Sequence, residues 1–337
     1  MNERENVLEL DEYLIRTSNL KKYYAEEGRL SFFSLKSTKS LVRAVDQVDL
    51  LIGRNEVLGL VGESGCGKST LGRTIIRLEE PTSGRIFFLG REITHLSQHD
   101  LKAFRKKMQI IFQDPASSLN PRKTVFEIIS QPLKVHGKVS GKKATVERVA
   151  DLFDKVGLER NHMERYPHQF SGGQRQRVCI ARAIALDPVF LVADEVVSAL
   201  DVSIQAQILN LLMVLKEELH LSILFISHDL SVVRQISDRV AVMYIGKIVE
   251  MARSESLFSS PYHPYTQALM SAIPVPDVDV GWRPIILQGE TPSPSQRPKG
   301  CSFHPRCPKA FDGCDREDVS LNEMGEGHFV ACHLYQG

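Results

Sequence analysis

The stretch Gly62-Glu-Ser-Gly-Cys-Gly-Lys-Ser-Thr70 decides the fold expected of this 337-residue chain. It follows the apolar run Val57–Val61 and precedes Leu71–Leu78, which the pattern predicts to be a helix. In such a strand–turn–helix unit the backbone N–H groups and the helix N-terminus face one anion, so the unit cradles phosphates. Lys68 supplies a positive charge for the outer phosphates, and Ser69 offers a hydroxyl to Mg²⁺. The members of this predicted phosphate loop are Gly62, Glu63, Ser64, Gly65, Cys66, Gly67, Lys68, Ser69 and Thr70.

Composition narrows the classes of protein to which the chain can belong. Hydrophobic residues make up 42% and charged residues 25%, and the net charge is +1, so nothing indicates a protein that coats nucleic acid. No uncharged apolar run approaches the roughly 20 residues of a membrane helix, and the charged start predicts no signal peptide. Six cysteines in a long chain with no predicted signal peptide argue against a fold held together by disulfides. We therefore expect any membrane role to come through a partner.

Short apolar runs predict an α/β fold. Val57–Val61, Phe190–Ala193 and Ile223–Ile226 are typical of strands buried on both faces of a parallel sheet. Gly84–Gly90 and Val240–Glu250 are predicted hairpin strands, the second turning at Gly246-Lys247.

Between about residues 120 and 187 the apolar spacing becomes helical. Val146, Val149, Phe153 and Val156 fall on one predicted helix face, which Gly157 ends.

Acidic residues follow the second buried run. Asp194 stands at the carboxyl end of its strand, where α/β sheets bind ligands, and is predicted to hold Mg²⁺. Glu195 is expected to polarise the attacking water, a contribution of about 10²–10⁴ in rate. His228 follows the third run and is predicted to contact the terminal phosphate or to orient water. Gln113 follows another apolar run and is predicted to bind Mg²⁺ or water through its amide.

A second helix start is suited to an anion. Ser171, Gly172, Gly173 and Gln174 precede a predicted helix at Arg175–Leu186, with Ser171 as its N-cap. One rigid body cannot cradle a terminal phosphate from opposite sides. A head-to-tail pair of bodies solves this, because each Ser171 end closes the phosphate site of the other subunit.

Together these motifs resemble the ATP-binding cassette ATPases over roughly residues 12–255. Gly62–Thr70 resembles the Walker A motif, and Asp194 with Glu195 resembles Walker B. The remaining matches are Gln113 (Q-loop), Ser171–Gln174 (signature), Ser198 to Asp201 (D-loop) and His228 (switch histidine). The resemblance also implies that Tyr24 stacks on adenine, with Tyr23 as the alternative.

Further stretches resemble the dipeptide/oligopeptide importer ATPases. They are Asn120-Pro-Arg after Gln113-Asp-Pro, Tyr166–Arg177 and His263–Leu269, while the insertion Glu26–Ser40 resembles that of the F-type subunit. Two residues depart from the family pattern: Phe170 replaces the usual Leu before the signature, and Val196 replaces the usual Pro after the catalytic Glu.

The resemblance implies a fold and a division into domains. The expected fold is an α/β P-loop cassette with a parallel-sheet core, an antiparallel β subdomain and a helical subdomain inserted at about 114–187. The cassette is predicted to span 1–255. A small irregular region rich in Pro and Cys is predicted at 256–337, where ten of the 16 prolines lie.

The resemblance further implies an importer subunit that hydrolyses ATP with Mg²⁺ at the cytoplasmic face of a bacterial or archaeal membrane. The expected partners are a second cassette, taken as a D-type sibling, two permease subunits and, indirectly, an extracytoplasmic solute-binding protein. Dipeptides or oligopeptides are the favoured solute, with nickel or haem as alternatives. The alternative from another class is a soluble cassette ATPase acting on nucleic acid or the ribosome.

Four cysteines cluster in the C-terminal region with the spacing C-x₅-C-x₆-C-x₁₇-C: Cys301, Cys307, Cys314 and Cys332. Four thiolates suit one [4Fe–4S] cluster or one tetrahedral Zn²⁺. Structural zinc sites usually have closely spaced cysteine pairs of the form C-x₂₋₄-C, which this region lacks, so the [4Fe–4S] cluster is the favoured prediction. Zinc and four unligated thiols remain the alternatives.

Overall fold

A computed structural model describes residues 13–26, 40–273 and 284–336, so residues 27–39 of the F-type insertion lie outside it. The strands are β1 (Tyr13–Glu26), β2 (Ser40–Gly53), β3 (Val57–Val61), β4 (Ser83–Phe88), β5 (Arg91–Glu92), β6 (Met108–Ile111), β7 (Phe190–Asp194), β8 (Ser222–Ile226), β9 (Arg239–Tyr244), β10 (Lys247–Arg253), β11 (Asn322–Glu323) and β12 (Phe329–Val330). The helices are α1 (Lys68–Ile75), α2 (Gln98–Arg105), α3 (Pro115–Ser118), α4 (Val125–Val135), α5 (Lys142–Lys155), α6 (Gly172–Ile184), α7 (Val202–Leu219), α8 (Leu230–Ile236), α9 (Ser254–Ser259) and α10 (Pro264–Ser271).

The chain divides into two compact units, of which the first holds, among the described residues, 13–14, 52–57 and 95–226. Strands β6, β7 and β8 pair in parallel in this unit, with Phe190 opposite both Met108 and Ser222. Every residue of β7 and β8 is buried, as the apolar runs predict. Helices α4, α5 and α6 pack against one another in the same unit.

The second unit holds, within the described ranges, residues 15–26, 40–51, 58–94, 227–273 and 284–336. One of its sheets has the order β2-β1-β4-β5, with antiparallel pairing of β4 to β1 and to β5. Elsewhere in this unit, β3 pairs in parallel with β9, which continues antiparallel through β10 and β12 to β11. The Pro- and Cys-rich region thus groups with strands of the cassette, and the domain boundary near 255 stays a prediction.

Most predicted elements are present, with shifts at their ends. Helix α1 begins at Lys68 rather than Leu71, because the last residues of the phosphate loop already form its first turn. The hairpin of β9 and β10 turns at Ile245-Gly246, so the predicted turn at Gly246-Lys247 was wrong by one residue. Ile245 and Gly246 both have positive φ, +39° and +80°, and a two-residue turn of this kind matches the strand twist.

Most of the residues predicted to share one face of α5 are buried. Val149, Phe153 and Val156 are buried, and Gly157 follows the helix with φ +66°. Val146 is exposed, so this helix face is not buried along its whole length. None of the helices in the described ranges is long and apolar enough to span a bilayer.

Candidate nucleotide site

The loop after β3 needs glycine at two positions, because neighbouring backbone atoms approach the loop too closely there to leave room for a Cβ atom. A Cβ atom on Gly62 would lie 2.1 Å from the Met243 carbonyl oxygen, and one on Gly67 would lie 1.9 Å from that of Ala44. Both glycines have positive φ, +149° and +109°, which residues with a Cβ rarely adopt. These contacts explain why the loop can curl tightly before α1 begins.

Lys68 is folded into this loop. Its Nζ donates hydrogen bonds of 2.8 Å to the Gly62 carbonyl and 3.0 Å to the Glu63 carbonyl, and the residue is buried. The ammonium group is therefore held where the loop is predicted to receive phosphate. Cys66 is also buried, and burial raises the pKa of its thiol, so no reactive thiolate is expected in the loop.

Glu63 makes contacts that its local sequence does not predict. Its backbone N–H donates to the Tyr265 hydroxyl at 2.9 Å. Its carboxylate accepts hydrogen bonds from Arg306 Nη1, at 2.9 and 3.1 Å, and from the Thr291 hydroxyl. Tyr265 and Arg306 lay within motifs noted in the sequence, but no spacing rule connects them to residue 63. The C-terminal region thus contacts the phosphate loop directly.

The end of β7 brings three predicted residues together in the first unit. Asp194 is fully buried, and the next residue, Glu195, has φ +47° in the left-handed region. Such a backbone is uncommon outside glycine and clusters at functional sites. Gln113 Nε2 donates a hydrogen bond of 2.7 Å to Glu195 Oε2, so the amide orients this carboxylate.

The turn after Glu195 is closed although Val196 replaces the family's proline. The Ser198 hydroxyl donates to the Glu195 carbonyl at 3.0 Å, and Gln205 Nε2 donates to the Val197 carbonyl at 3.0 Å. Val196 itself is buried. Asp201 is the N-cap residue of α7, and its exposed side chain makes no capping hydrogen bond. Hydrogen bonds and the burial of Val196 thus hold this turn without a proline.

The Ser171 to Gln174 segment is the start of α6. The Ser171 hydroxyl accepts from the Gln174 N–H at 3.3 Å, and Gln174 Oε1 accepts from the Ser171 N–H at 2.9 Å. This reciprocal pair confirms Ser171 as the N-cap. A Cβ atom on Gly173 would lie 2.7 Å from Ile204 Cγ2, whereas one on Gly172 would make an ordinary 3.5 Å contact with Leu200.

The two candidate adenine-stacking residues differ in exposure. Tyr24 is exposed, and its hydroxyl hydrogen-bonds with Glu79 and the Thr70 side chain. Burial of the hydroxyl and its bond to Glu79 raise the pKa of Tyr24 to about 12. Tyr23 is half-buried, and its hydroxyl donates to the buried carboxylate of Asp46. The ring of Tyr24 is therefore the more open of the two.

The predicted site residues are divided between the two units. The phosphate loop, Tyr24 and His228 belong to the second unit, and His228 is exposed just before Asp229, the N-cap of α8. The first unit carries the others: Gln113, Ser171, Gly172, Gly173, Gln174, Asp194, Glu195, Ser198 and Asp201.

The four tail cysteines line one cavity together with His304 and His333. All four are free thiols, and burial raises the pKa of Cys301 and Cys307, and that of Cys332 to about 11. Across the described ranges, no three His, Cys, Asp or Glu side chains are grouped to hold a metal ion. The thiols are therefore neighbours, but they are not arranged as a ligand set.

Comparisons with known proteins agree with this geometry. The family model described as ABC transporter matches residues 45–198, and the one described as Oligopeptide/dipeptide transporter, C-terminal region, matches residues 249–314. The fold resembles a dimeric ATP-binding cassette solved in a post-hydrolysis state with ADP and Pi, at TM-score 0.62 and 29% identity over 71% of this chain and 98% of that one. It also resembles a subunit of an ABC transporter complex from Clostridium perfringens, at TM-score 0.62 and 26% identity over 74% of this chain and 92% of that one.

The similarity extends to the whole sequence. The oligopeptide transport ATP-binding protein AppF of Bacillus subtilis is 51% identical, over 96% of this chain and 98% of its own length. Identity at this level covers the cassette motifs and the C-terminal region together. This chain therefore belongs to the ATP-binding proteins of the ABC transporter family.

Proposed function

We propose that this chain is the ATP-hydrolysing subunit of an importer for oligopeptides or dipeptides. The observation that carries the proposal is the similarity to an oligopeptide transport ATP-binding protein along nearly all of both chains. The C-terminal match supports it independently, because it covers a region outside the cassette motifs. A soluble cassette ATPase acting on nucleic acid has no such support.

The contacts of the site residues support the following roles. Lys68, held in the loop by two carbonyl groups, binds the outer phosphates of ATP. Glu195, oriented by Gln113, takes a proton from the attacking water, and His228 contacts the terminal phosphate. Ser69, Gln113 and Asp194 offer the oxygen donors that Mg²⁺ prefers, and the ion would neutralise phosphate charge when bound. Tyr24 stacks on adenine through its exposed ring.

The start of α6 supports assembly as a head-to-tail pair. Ser171 to Gln174 would face the ATP of a second cassette, which we propose to be a D-type sibling. A dimeric cassette among the similar structures supports pairing of this kind. Two permease subunits would attach the pair to the cytoplasmic face of the membrane, and a solute-binding protein would deliver the peptide to them.

The proposal is tested with the whole transporter. The tagged chain is purified with its membrane partners in lipid discs, and ATP hydrolysis is measured with the solute-binding protein and candidate ligands. We expect peptides to stimulate hydrolysis and nickel or haem to leave it unchanged. Stimulation by nickel or haem alone would contradict peptide transport, and co-purification with ribosomes or DNA instead of permeases would contradict transport altogether.

A [4Fe–4S] cluster in the C-terminal region is a further part of this proposal, with zinc or unligated thiols as the alternatives. The support is that four soft donors, Cys301, Cys307, Cys314 and Cys332, line one cavity. Within the described ranges they are not grouped as ligands, so binding would require the thiols to deprotonate and move together. Iron and sulfide analysis of protein purified without oxygen tests the assignment. We expect a brown protein that loses iron when Cys307 is replaced by Ser; colourless protein, with zinc or with no metal, would overturn it.

A further inference from the structure

The carboxylate of Glu63 lies in the loop that is proposed to bind the phosphates of ATP. An unneutralised carboxylate there would repel the triphosphate, because both groups are negative and the site is partly shielded from water. The side chain of Glu63 is 25% exposed, and that of its partner Arg306 is 9% exposed. The guanidinium therefore faces Glu63 from the protein side and supplies the opposite charge.

Arg306 is held in place by its own surroundings. It ends the short helical turn His304–Arg306, and its N–H donates to the Phe303 carbonyl at 3.0 Å. Phe303 is buried against Tyr244 and Tyr265, with ring centroids 5.3 and 5.4 Å away. Arg306 Nη1 also contacts the Tyr244 hydroxyl at 3.4 Å. The arginine thus needs little ordering when the loop binds a ligand.

Tyr265 acts on the same residue through the backbone. Its hydroxyl accepts the Glu63 N–H at 2.9 Å, and the Tyr265 side chain is fully buried. Two groups of the C-terminal region therefore hold Glu63, one through its backbone and the other through its charge.

We infer that Arg306 is a positioning residue for ATP binding, which neutralises Glu63 and, with Tyr265, holds the phosphate loop in its binding conformation. The inference rests on the proposed role of residues 62–70 as the phosphate loop. It gives the C-terminal region a function in the affinity for nucleotide, in addition to any metal that its cysteines bind.

The test is a double-mutant cycle in the full-length chain. The Kd of a fluorescent ATP analogue is measured for the wild type, Arg306→Ala, Glu63→Gln and the double variant, with folding checked by circular dichroism. Arg306→Ala should raise Kd by about tenfold to a hundredfold, the range for losing a hydrogen bond to a charged group. In the Glu63→Gln background the same replacement should change Kd less than about threefold, because no partly shielded carboxylate is left without its opposite charge.

A merely structural role for Arg306 gives a different result. If the arginine only stabilised the fold of the C-terminal region, Arg306→Ala would raise Kd equally in the wild-type and Glu63→Gln backgrounds. An equal rise in both backgrounds, or no rise in either, overturns the inference. In hydrolysis assays Arg306→Ala should raise KM while kcat stays within about threefold, since the arginine acts on binding of the substrate.

Two controls separate the possible failures. Asp318→Asn removes another ion pair of the C-terminal region, with Lys247 at 2.8 Å, and should leave Kd unchanged. Lys68→Ala tests the phosphate loop itself, and normal ATP binding by that variant would contradict the loop assignment. If Lys68→Ala loses binding but Glu63→Gln does not reduce the effect of Arg306→Ala, only the role of Arg306 is contradicted. If Arg306→Ala does not fold, Arg306→Lys is used in its place. We expect Arg306→Lys to raise Kd severalfold in the wild-type background and not in the Glu63→Gln background. A rise in Kd that persists in the Glu63→Gln background overturns the inference.

Discussion

Gln113 and Glu195 are joined by a hydrogen bond of 2.7 Å between Nε2 of the amide and Oε2 of the carboxylate. The residues are 82 positions apart in the sequence, and the bond occupies one oxygen of the proposed general base. Any group that draws Gln113 away would remove this hydrogen bond from the carboxylate. The pair therefore connects the orientation of the base to whatever Gln113 binds.

Replacing Glu195 with Gln should stop ATP turnover and leave ATP binding intact. The amide has nearly the shape of the carboxylate but cannot take a proton, so the rate should fall by about 10²–10⁴. Phosphate release and binding of a fluorescent ATP analogue measure the two effects separately. Hydrolysis at a near-normal rate would show that Glu195 is not the base.

Lys68→Ala should weaken nucleotide binding by about tenfold to a hundredfold, because it removes the buried ammonium group that faces the loop carbonyls. A lost charge-assisted contact to phosphate costs about 1.5–3 kcal/mol, and equilibrium binding measures it. Arg73→Ala, on the same helix outside the loop motif, is the control for a general loss of positive charge. Equal affinity of Lys68→Ala and wild type would refute the assignment.

Gly172→Val should block pairing of two cassettes without preventing ATP binding to each one. The protein has room for a Cβ at residue 172, 3.5 Å from Leu200, so the fold should persist. Size-exclusion chromatography with ATP and the sibling cassette, in the Glu195→Gln background, measures the dimer. Gly173→Val is the contrasting variant, because its Cβ would lie 2.7 Å from Ile204 and should lower the melting temperature. Dimers of Gly172→Val as stable as those of its parent would count against the shared site.

Tyr24→Ala should weaken ATP binding through loss of stacking on adenine. Base–aromatic stacking is worth about 1–3 kcal/mol, which corresponds to a rise in Kd of about 5-fold to 150-fold. Tyr24→Phe keeps the ring and should bind normally. Tyr23→Phe removes only the hydroxyl bonded to Asp46 and should change stability more than affinity. Normal ATP binding by Tyr24→Ala would show that the ring of Tyr24 does not stack on adenine.

His263 should make the protein sensitive to mild acid. Burial lowers the pKa of His263 from 6.5 to about 4, and its Nδ1 accepts the Tyr265 N–H at 3.1 Å. The unfolded chain binds this proton below about pH 6.5 and the folded chain only below about pH 4, so stability falls as the pH drops through that window. The whole shift corresponds to roughly 3 kcal/mol. Urea unfolding of wild type and His263→Asn between about pH 7 and pH 4 measures the difference, and parallel curves would exclude His263 as the cause.

Local patterns were sufficient to predict much of the fold and of the site. The apolar runs at β7 and β8 are buried throughout, and Ser171 caps α6, because a strand core and a helix cap each depend on neighbouring residues. The pairing of Glu63 with Arg306 could not be predicted in this way. Those residues are 243 positions apart, and the arginine reaches the loop through the tertiary packing of Phe303 against Tyr265.

The pairing of β12 with β10 has a consequence for any shortened form of the protein. Val330 lies opposite Glu250 and Phe329 opposite Met251, and the Ala331 N–H donates to the Val249 carbonyl at 2.8 Å. Without these residues β10 would present a row of unpaired N–H and C=O groups beside apolar side chains, and exposed edges of this kind recruit strands from other molecules. A cassette cut before β11 should therefore tend to aggregate, so the C-terminal region also protects solubility by covering a sheet edge with two very short strands.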